Sequence, residues 1–429
     1  MKRIQAWITA NRSLIANSSA LVGTAVVNSG IGFVYWWLAA HWFDQAFVGL
    51  ASATVSAMLL LGSVGMMGLG TLLVGEIAQR QGEESALLST SMITITVVSV
   101  AVALAFALIS GALSAEFALL TTNPLYLALF ALGVALTALT LMLDQAFIGL
   151  LRGGIQLTRN FSASIIKLVA LVLFGLWLAD QTGMVIFGAW TLGTLLSLFI
   201  PFRSLIRTYG LRLHFRGHMV RELGKAALMH HWLNLALEAP IRLLPVIVTI
   251  VLTPELTASL YIAWMLAGLM FFPVQSLTLT LYAVGAQNVT LLAEKMHVTL
   301  RLSALITVVG YIAIFLLADV LMGLFGRAYA EQAANVLRIL CVSIFPLIIK
   351  DHFVAVYRIH NRARQAALII TIGGIIEVTL SVIGASTNGL IGLSIGWVVA
   401  IMLEAIYMLP TVLRALHVPV FHSARTAAS

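Results

Sequence analysis

The sequence predicts an all-α, polytopic membrane protein with twelve transmembrane helices in two parallel-repeat six-helix bundles. Three observations predict it: a low charge content, many long apolar stretches, and a pattern that recurs halfway along the chain. Of the 429 residues, 61% are hydrophobic and 9% are charged, whereas soluble domains are about 25% charged. This composition excludes a soluble enzyme, a disordered chain and a disulfide-stabilised secreted domain.

Twelve apolar stretches are long enough to cross a bilayer as helices, since a span needs ~20 apolar residues for a hydrocarbon core of about 30 Å. They are continuously apolar rather than alternating, which is typical of helices and not of barrel strands. The stretches are residues 14–40, 46–78, 87–114, 125–150, 160–179, 185–206, 225–252, 256–286, 299–320, 334–357, 366–386 and 389–413.

The distribution of Lys and Arg predicts the orientation of the chain. Nineteen of the 24 basic residues, Arg159 among them, lie in segments or helix ends on one side, and Arg327 alone lies on the other. Such asymmetry places both termini in the cytoplasm. It also accounts for the formal net charge of +8 without any nucleic-acid partner.

The longest basic segment divides the chain into two halves. Residues 203–225 carry six positive charges against Glu222, and they form a cytoplasmic linker that is either a solvated loop or lies on the anionic inner leaflet. The predicted organisation is therefore an N-terminal bundle at 1–206, a linker at 207–224, a C-terminal bundle at 225–413 and a cytoplasmic tail at 414–429.

The two halves resemble each other at an offset near 207 residues. An aromatic residue followed five positions later by arginine occurs at 147–152 and again at 353–358, and Trp190 matches Trp397. Six spans in each half keep the two halves in the same orientation, so the repeat is parallel. Paired bundles of this kind are typical of transporters whose binding site lies at the repeat interface.

The chain carries no motif for a nucleotide, a cofactor or a metal. No G-x-x-x-x-G-K-[ST] motif and no metal-ligand spacing of His and Cys occur, and Cys341 is the one cysteine. The external segments are short, whereas a membrane glycosyltransferase, ligase or polymerase needs room for catalytic groups. We therefore expect a protein that is not an enzyme and has no cofactor.

Ionisable residues inside spans are expensive, and each is a candidate site residue. In the seventh span, Glu238 and Arg242 lie at i and i+4 on one helix face, and they either neutralise each other or serve transport. Pro240 and Pro245 predict a bend in this helix. Asn28 in the first span lies at similar depth, and the two helices together would form a gate.

The remaining intramembrane charges complete the candidate site. Asp144 and Lys167 lie at similar depth and either pair or bind substrate, and Lys350 has Asp351 beside it in the sequence. Buried carboxylates can also carry protons between compartments. The predicted substrate-binding residues are Arg242, Lys350, Lys167, Asn28 and Arg338, and the predicted ion-coupling residues are Glu238, Glu377 and Asp144.

Several short motifs carry a resemblance to a known family. The first half carries Tyr35-Trp-Trp-Leu-Ala39, Val48-Gly-Leu-Ala-Ser-Ala53, Gly68-Leu-Gly-Thr-Leu72 and Ala78-Gln-Arg80. The second half carries Leu324-Phe-Gly-Arg-Ala-Tyr329, Val336-Leu-Arg-Ile-Leu340 and Gly389-Leu-Ile-Gly-Leu393. In these motifs the chain resembles polysaccharide-precursor flippases of the O-antigen type, within the multidrug/oligosaccharidyl-lipid/polysaccharide exporter superfamily.

The resemblance implies alternating access by two bundles in the bacterial inner membrane. It implies a substrate of oligosaccharide linked through diphosphate to a polyprenol, moved from the inner to the outer leaflet, with a proton or sodium ion and glycan polymerase or ligase machinery as further partners. A multidrug extrusion antiporter of the same superfamily is the alternative function, because its cationic cargo would use Glu238. A third alternative is a membrane scaffold that transports nothing.

Overall fold

The computed structural model of the chain describes residues 28–80, 82–177, 183–287 and 292–417. Within these ranges the chain forms helices and no β-strand, which confirms the predicted all-α fold. The part of the first predicted span before residue 28 and the predicted tail after residue 417 lie outside the described residues.

Packing divides the chain into two compact units, one ending at Ala258 and one beginning at Ser259. The helices of the first unit are α1 (28–42), α2 (Gln45–Met66), α3 (Leu69–Gln79), α4 (Glu84–Leu113), α5 (Ala115–Thr122), α6 (Pro124–Gly149), α7 (Gly153–Trp177), α8 (Gly183–Ser197), α9 (Phe199–Tyr209) and α10 (Gly217–Val251). Helix α11 (Pro254–Gln287) leads into the second unit, whose other helices are α12 (Leu292–Gly323), α13 (Arg327–Val342), α14 (Ile344–Ile359) and α15 (Ala363–His417). The division into bundles at 1–206 and 225–413 stays a prediction.

Nine of the described helices are long and apolar enough to cross a membrane, and α13 with α14, bent by 42°, makes a tenth span. Helix α15 is 55 residues long, and its backbone leaves helical geometry at Asn388 and Gly389, so it contains the eleventh and twelfth predicted stretches. Helix α1 is the described part of the first predicted stretch. Each predicted stretch is therefore helical wherever it is described, as one helix or as two consecutive helices.

The two arms of α15 form a tightly packed antiparallel hairpin. A Cβ atom added to Gly384 would lie 2.0 Å from the carbonyl oxygen of Gly392, and one added to Gly396 would lie 2.2 Å from that of Leu380. Only glycine allows two helix backbones to approach this closely, as is usual between membrane helices. The glycines of the twelfth span therefore fix its packing on the eleventh.

The second predicted span, 46–78, is broken rather than continuous. Met67 and Gly68 have positive φ angles of 49° and 74°, and they separate α2 from α3. A Cβ atom on Gly68 would lie 2.2 Å from the carbonyl oxygen of Ala227, so the break lets α10 approach closely. By contrast, α10 continues as one helix through Pro240 and Pro245.

A side chain from α10 satisfies a carbonyl that the break leaves without its helical partner. The Met67 N–H bonds to the Val64 carbonyl instead of the Ser63 carbonyl. The Nε2 atom of His231 lies 2.8 Å from the Ser63 oxygen and, as the tautomer that carries its proton there, donates to it. An unsatisfied backbone group costs several kcal/mol in hydrocarbon, so this contact joins α10 firmly to α2.

The same turn ends α6 in the first unit and α14 in the second. Leu151 and Asn361 have φ angles of 55° and 56°, and the N–H groups of Arg152 and Arg362 bond to the carbonyl oxygens of residues 147 and 357, each at 2.8 Å. The structural repeat at this turn is therefore offset by 210 residues, from 152 to 362. The sequence match pairs Arg152 with Arg358, which lies one helical turn before Arg362. An aromatic residue lies five positions before each of these two arginines, so the motif alone does not distinguish them.

We predict that Gly392→Ala destabilises the hairpin of α15, because the added methyl group meets the backbone of Gly384. Overpacking of this kind costs about 1–3 kcal/mol. The measurement is thermal unfolding of the detergent-solubilised protein. Gly268→Ala in α11 is the matched control, since its Cβ meets nothing within 4 Å, and equal stability of the two variants would contradict the prediction.

Candidate functional site

The first unit holds a buried ion pair between α6 and α7. Arg159 donates from Nε to Asp144 Oδ1 at 2.8 Å and from Nη2 to Asp144 Oδ2 at 2.5 Å. Asn160 donates to the same Oδ2 atom at 3.1 Å. A bidentate guanidinium–carboxylate pair fixes the geometry of both groups, so this pair joins α7 to α6 near the turn between them.

This ion pair extends to α1 through two further hydrogen bonds. Asn28 donates to Asn160 Oδ1 at 3.2 Å, and Ser164 donates to Asn28 Oδ1 at 3.4 Å. The structure thus brings Asn28 and Asp144, two predicted site residues, into one network with Arg159. We call Asn28, Asp144, Arg159, Asn160 and Ser164, together with Lys167 further along α7, the first-unit cluster.

Lys167 lies two turns further along α7 and points at an aromatic ring. Its Nζ atom is 3.8 Å from the ring centre of Trp190 on α8, a cation–π distance. Tyr35 and Trp36 of α1 pack around the same indole, with ring centres 5.4 and 6.1 Å away. In the described parts of the chain no carboxylate pairs with Lys167, and Asp144 pairs with Arg159 instead.

The second unit holds a buried cluster of opposite net charge. Lys350 Nζ lies 2.5 Å from Glu377 Oε1 and 2.8 Å from Glu404 Oε2. Trp397 donates from Nε1 to Glu377 Oε2 at 2.8 Å, and Trp264 packs on Trp397 at 4.5 Å. We call these five residues the second-unit cluster.

The charged members of the second-unit cluster are almost inaccessible to solvent. Lys350, Glu377 and Glu404 are 5%, 2% and 6% exposed, and Glu404 Oε1 has no hydrogen-bond partner. Two carboxylates face one ammonium, so the ionised cluster has a net charge of −1. In the first unit, the ionisable side chains described in this region are Arg159, Lys167 and Asp144, so the ionised region has a net charge of +1.

One ionisable position is shared by the two units. Lys167 and Glu377 each lie 15 residues after the arginine of the shared turn, Arg152 or Arg362. Each contacts a tryptophan further along the chain, Lys167 as a cation over the Trp190 ring and Glu377 as an acceptor from the Trp397 N–H. The repeat therefore keeps an ionisable residue at this position and reverses its charge.

Three predicted site residues lie outside the clusters. Glu238 is exposed and Arg242 is partly exposed on α10, and neither forms an ion pair in the described residues, so they do not neutralise each other. Arg338 donates to Asn335 Oδ1 at 2.7 Å and to the Phe315 carbonyl at 3.1 Å, and it pairs with Asp319. Its cationic group is thus already engaged.

Several cluster residues are absent from the site predicted by sequence. The sequence places Arg159 among the cytoplasmic helix ends, but its side chain is 5% exposed and forms an ion pair with Asp144. The short turn at 150–152 brings α7 back along α6, and this reversal places Arg159 beside Asp144. A sequence analysis that includes this turn would predict the ion pair. Trp397 matches Trp190 at the offset of 207, whereas Glu404 has no ionisable counterpart at offset 207 or 210, where Ser197 and Thr194 lie, so the repeat does not identify it. Within the described ranges, no group of His, Cys, Asp and Glu could hold a metal ion.

The chain belongs to the family described as polysaccharide biosynthesis protein, whose model matches residues 14–229, half of the chain. This match confirms the resemblance found in the sequence. Among curated proteins, no sequence matches this chain.

Several solved structures share the fold. A multidrug resistance MATE family transporter of the MOP superfamily, in an inward-facing conformation, has a TM-score of 0.68 and 15% identity, over 91% of this chain and 95% of that one. The lipid II flippase MurJ, in an inward closed conformation, has a TM-score of 0.71 and 13% identity, over 94% and 89%.

A MOP superfamily transporter from Pyrococcus furiosus, described as having a binding pocket of reverse polarity, has a TM-score of 0.65 and 14% identity, over 94% of this chain and 95% of that one. At these identities the likeness establishes the fold. The protein therefore has the fold of MOP superfamily transporters.

We predict that Lys350→Gln destabilises the protein far more than Glu404→Gln. The first change leaves two buried carboxylates without a counter-charge, which costs about 3–5 kcal/mol. The second leaves Lys350 and Glu377 as a neutral pair, so the free energy of unfolding changes by less than about 1 kcal/mol. Denaturant unfolding in detergent measures both, and an equal loss would contradict the charge balance.

Proposed function

We propose that this protein moves a polyprenyl-diphosphate-linked oligosaccharide from the cytoplasmic to the outer leaflet of a bacterial inner membrane by alternating access. The observation that carries the proposal is Lys167, a half-buried cation of the first unit that has an aromatic neighbour and, among the described residues, no carboxylate partner. Membership of the polysaccharide biosynthesis family supports a glycan cargo. We also propose that the protein is not an enzyme.

The charge of the first unit suits a diphosphate. A diphosphate carries negative charge that must be matched when it leaves water, and a net charge of +1 at Arg159, Lys167 and Asp144 attracts it. Arg159 is held by its bidentate bonds to Asp144, so the ammonium of Lys167, which the Trp190 ring contacts, is the group that would bind a phosphate oxygen. Asn28, in the same network, would add a donor to the substrate.

Arg242 offers a second cation to the cargo. It is partly exposed on α10 and forms no ion pair with Glu238, so its guanidinium is available to a phosphate, for which its geometry is well suited. Lys350 and Arg338 were also expected to bind substrate, but their present contacts occupy them, so we assign the diphosphate to Lys167 and Arg242.

The second-unit cluster would couple transport to an ion. Burying a net charge of −1 is unfavourable, and binding one proton or one sodium ion at Glu377 or Glu404 removes it. Glu377 is therefore the coupling residue that we favour, ahead of Asp144, whose charge Arg159 already balances.

A multidrug antiporter is the alternative, and the exposed carboxylate of Glu238, which forms no ion pair with any described residue, favours it. An organic cation would bind there if Arg242 points away. Efflux of ethidium that depends on Glu238, together with no glycolipid movement, would support this alternative.

The topology completes the proposal. Both termini would lie in the cytoplasm, with two bundles of six helices alternating their access around the cargo. Enzymes that polymerise or ligate the glycan would receive it at the outer leaflet. Tags at residues 1 and 429, tested for protease protection in intact spheroplasts, would locate the termini.

We predict that Lys167→Gln slows flipping at least about tenfold, because one charge-assisted hydrogen bond contributes about 1.5–3 kcal/mol. The assay follows a fluorescent polyprenyl-diphosphate oligosaccharide in proteoliposomes. Lys167→Arg should keep most of the rate, and Lys295→Gln, which removes an exposed cation bonded to Glu294, should keep all of it. Unchanged flipping by both Lys167→Gln and Arg242→Ala at normal expression would refute the diphosphate assignment.

We also predict that a proton or sodium gradient accelerates flipping by the unaltered protein and that Glu377→Gln removes this acceleration. Flipping without a gradient should persist in the variant, because the neutral glutamine leaves the first unit unchanged. Rates are measured in the same proteoliposomes with each gradient imposed in turn. Insensitivity of the unaltered protein to both gradients would exclude coupling.

A further inference from the structure

Residues 199–216, here called the interfacial segment, are basic and also apolar. The segment consists of α9 and the chain that leads to α10, and no Asp or Glu occurs from Phe199 to Arg221. Its basic residues are Arg203, Arg207, Arg212 and Arg216. A linker that merely connects two spans through water needs no apolar surface, so the exposed side chains of this segment call for an explanation.

The interfacial segment is bound to the ends of neighbouring helices. Ser89 at the start of α4 donates to the His214 carbonyl at 2.7 Å, and Thr90 accepts from the Arg216 N–H at 3.1 Å. Arg152 after α6 donates to Thr208 at 3.0 Å. The segment therefore has a defined position on the first unit.

Its free surface combines large apolar side chains with arginines. Phe199, Ile206, Leu213 and Phe215 are 68%, 55%, 73% and 54% exposed. Arg203, Arg207 and Arg212 are exposed too, and no ion pair engages them in the described residues. Along α9, Phe199, Arg203 and Ile206 follow the helical spacing of a single face, while Pro201 and Leu205 are buried on another.

The position of the segment along the chain places this surface at the edge of the hydrocarbon core. The candidate span begins at Gly183 and includes α9. At 1.5 Å per residue, ~20 residues cross about 30 Å, so the core ends near Arg203. Ile206, Leu213 and Phe215 therefore lie at the depth of the phospholipid headgroups.

We propose that the interfacial segment is a binding surface for anionic phospholipids of the adjoining leaflet. Arg203, Arg207 and Arg212 contact the headgroup phosphates, and the exposed apolar side chains enter the acyl boundary. Charge complementarity selects anionic lipid, since each basic residue near such a surface is attracted to it. A basic amphipathic helix with bulky apolar residues is typical of this location. The proposal does not depend on the proposed transport function.

Lipid retention by the purified full-length chain tests the headgroup contact. Native mass spectrometry should show phosphatidylglycerol retained in preference to phosphatidylcholine, and the triple variant R203Q/R207Q/R212Q should weaken this retention at least about tenfold. The control R301Q/R364Q/R414Q removes the same charge from other exposed arginines and should behave as the unaltered chain. Equal loss in both triple variants would overturn the proposal, since attraction would then be diffuse.

A depth measurement tests the apolar contact. A spin label is placed at Leu213→Cys in a Cys341→Ala background, because Cys341 is the one cysteine. In nanodiscs with phosphatidylglycerol, collisions with oxygen should exceed those with an aqueous nickel chelate. Val97→Cys, 64% exposed within α4, is the reference for membrane depth. Dominant collisions with nickel at residue 213 would make the segment a solvated loop and overturn the proposal.

Discussion

An ionised side chain inside a membrane protein needs a counter-charge, because burial without one costs several kcal/mol. This constraint organises both polar clusters. In the first unit it draws Arg159 onto Asp144 with two hydrogen bonds, and in the second it draws Lys350 between two carboxylates. The charges do not balance in either unit, and the proposed function assigns its substrate and ion sites to the residual charges.

The shared turn gives each unit an ionisable residue at the same interval. The turn has the same backbone bond at 152 and 362, and Lys167 and Glu377 follow it by 15 residues. A positive group at this position would suit an anionic diphosphate, and a negative one would suit a proton or a singly charged metal ion. Under the proposed function, reversal of charge at one repeated position would thus serve two complementary sites without a new scaffold.

The sequence predicted the helices well because a long apolar stretch has few alternatives to a helix in a bilayer. It predicted the clusters only in part. Asp144, Asn28, Lys350 and Glu377 were expected as site residues, whereas Arg159 was assigned to a helix end, since hydropathy alone does not show how a turn folds α7 back on α6. Of the two alternatives for Glu238 and Arg242, the ion pair is not formed in the described residues, because helical spacing permits a contact without requiring it.

The bond from His231 to the Ser63 carbonyl has a mechanical consequence. Within a lipid environment no water is at hand to take over that carbonyl, so α10 cannot separate from α2 without exposing a bare acceptor. Any rearrangement of this end of α10 must therefore move α2 together with it. Further along the same helix, Pro240 removes one hydrogen bond of the backbone ladder, so α10 resists bending less at that point.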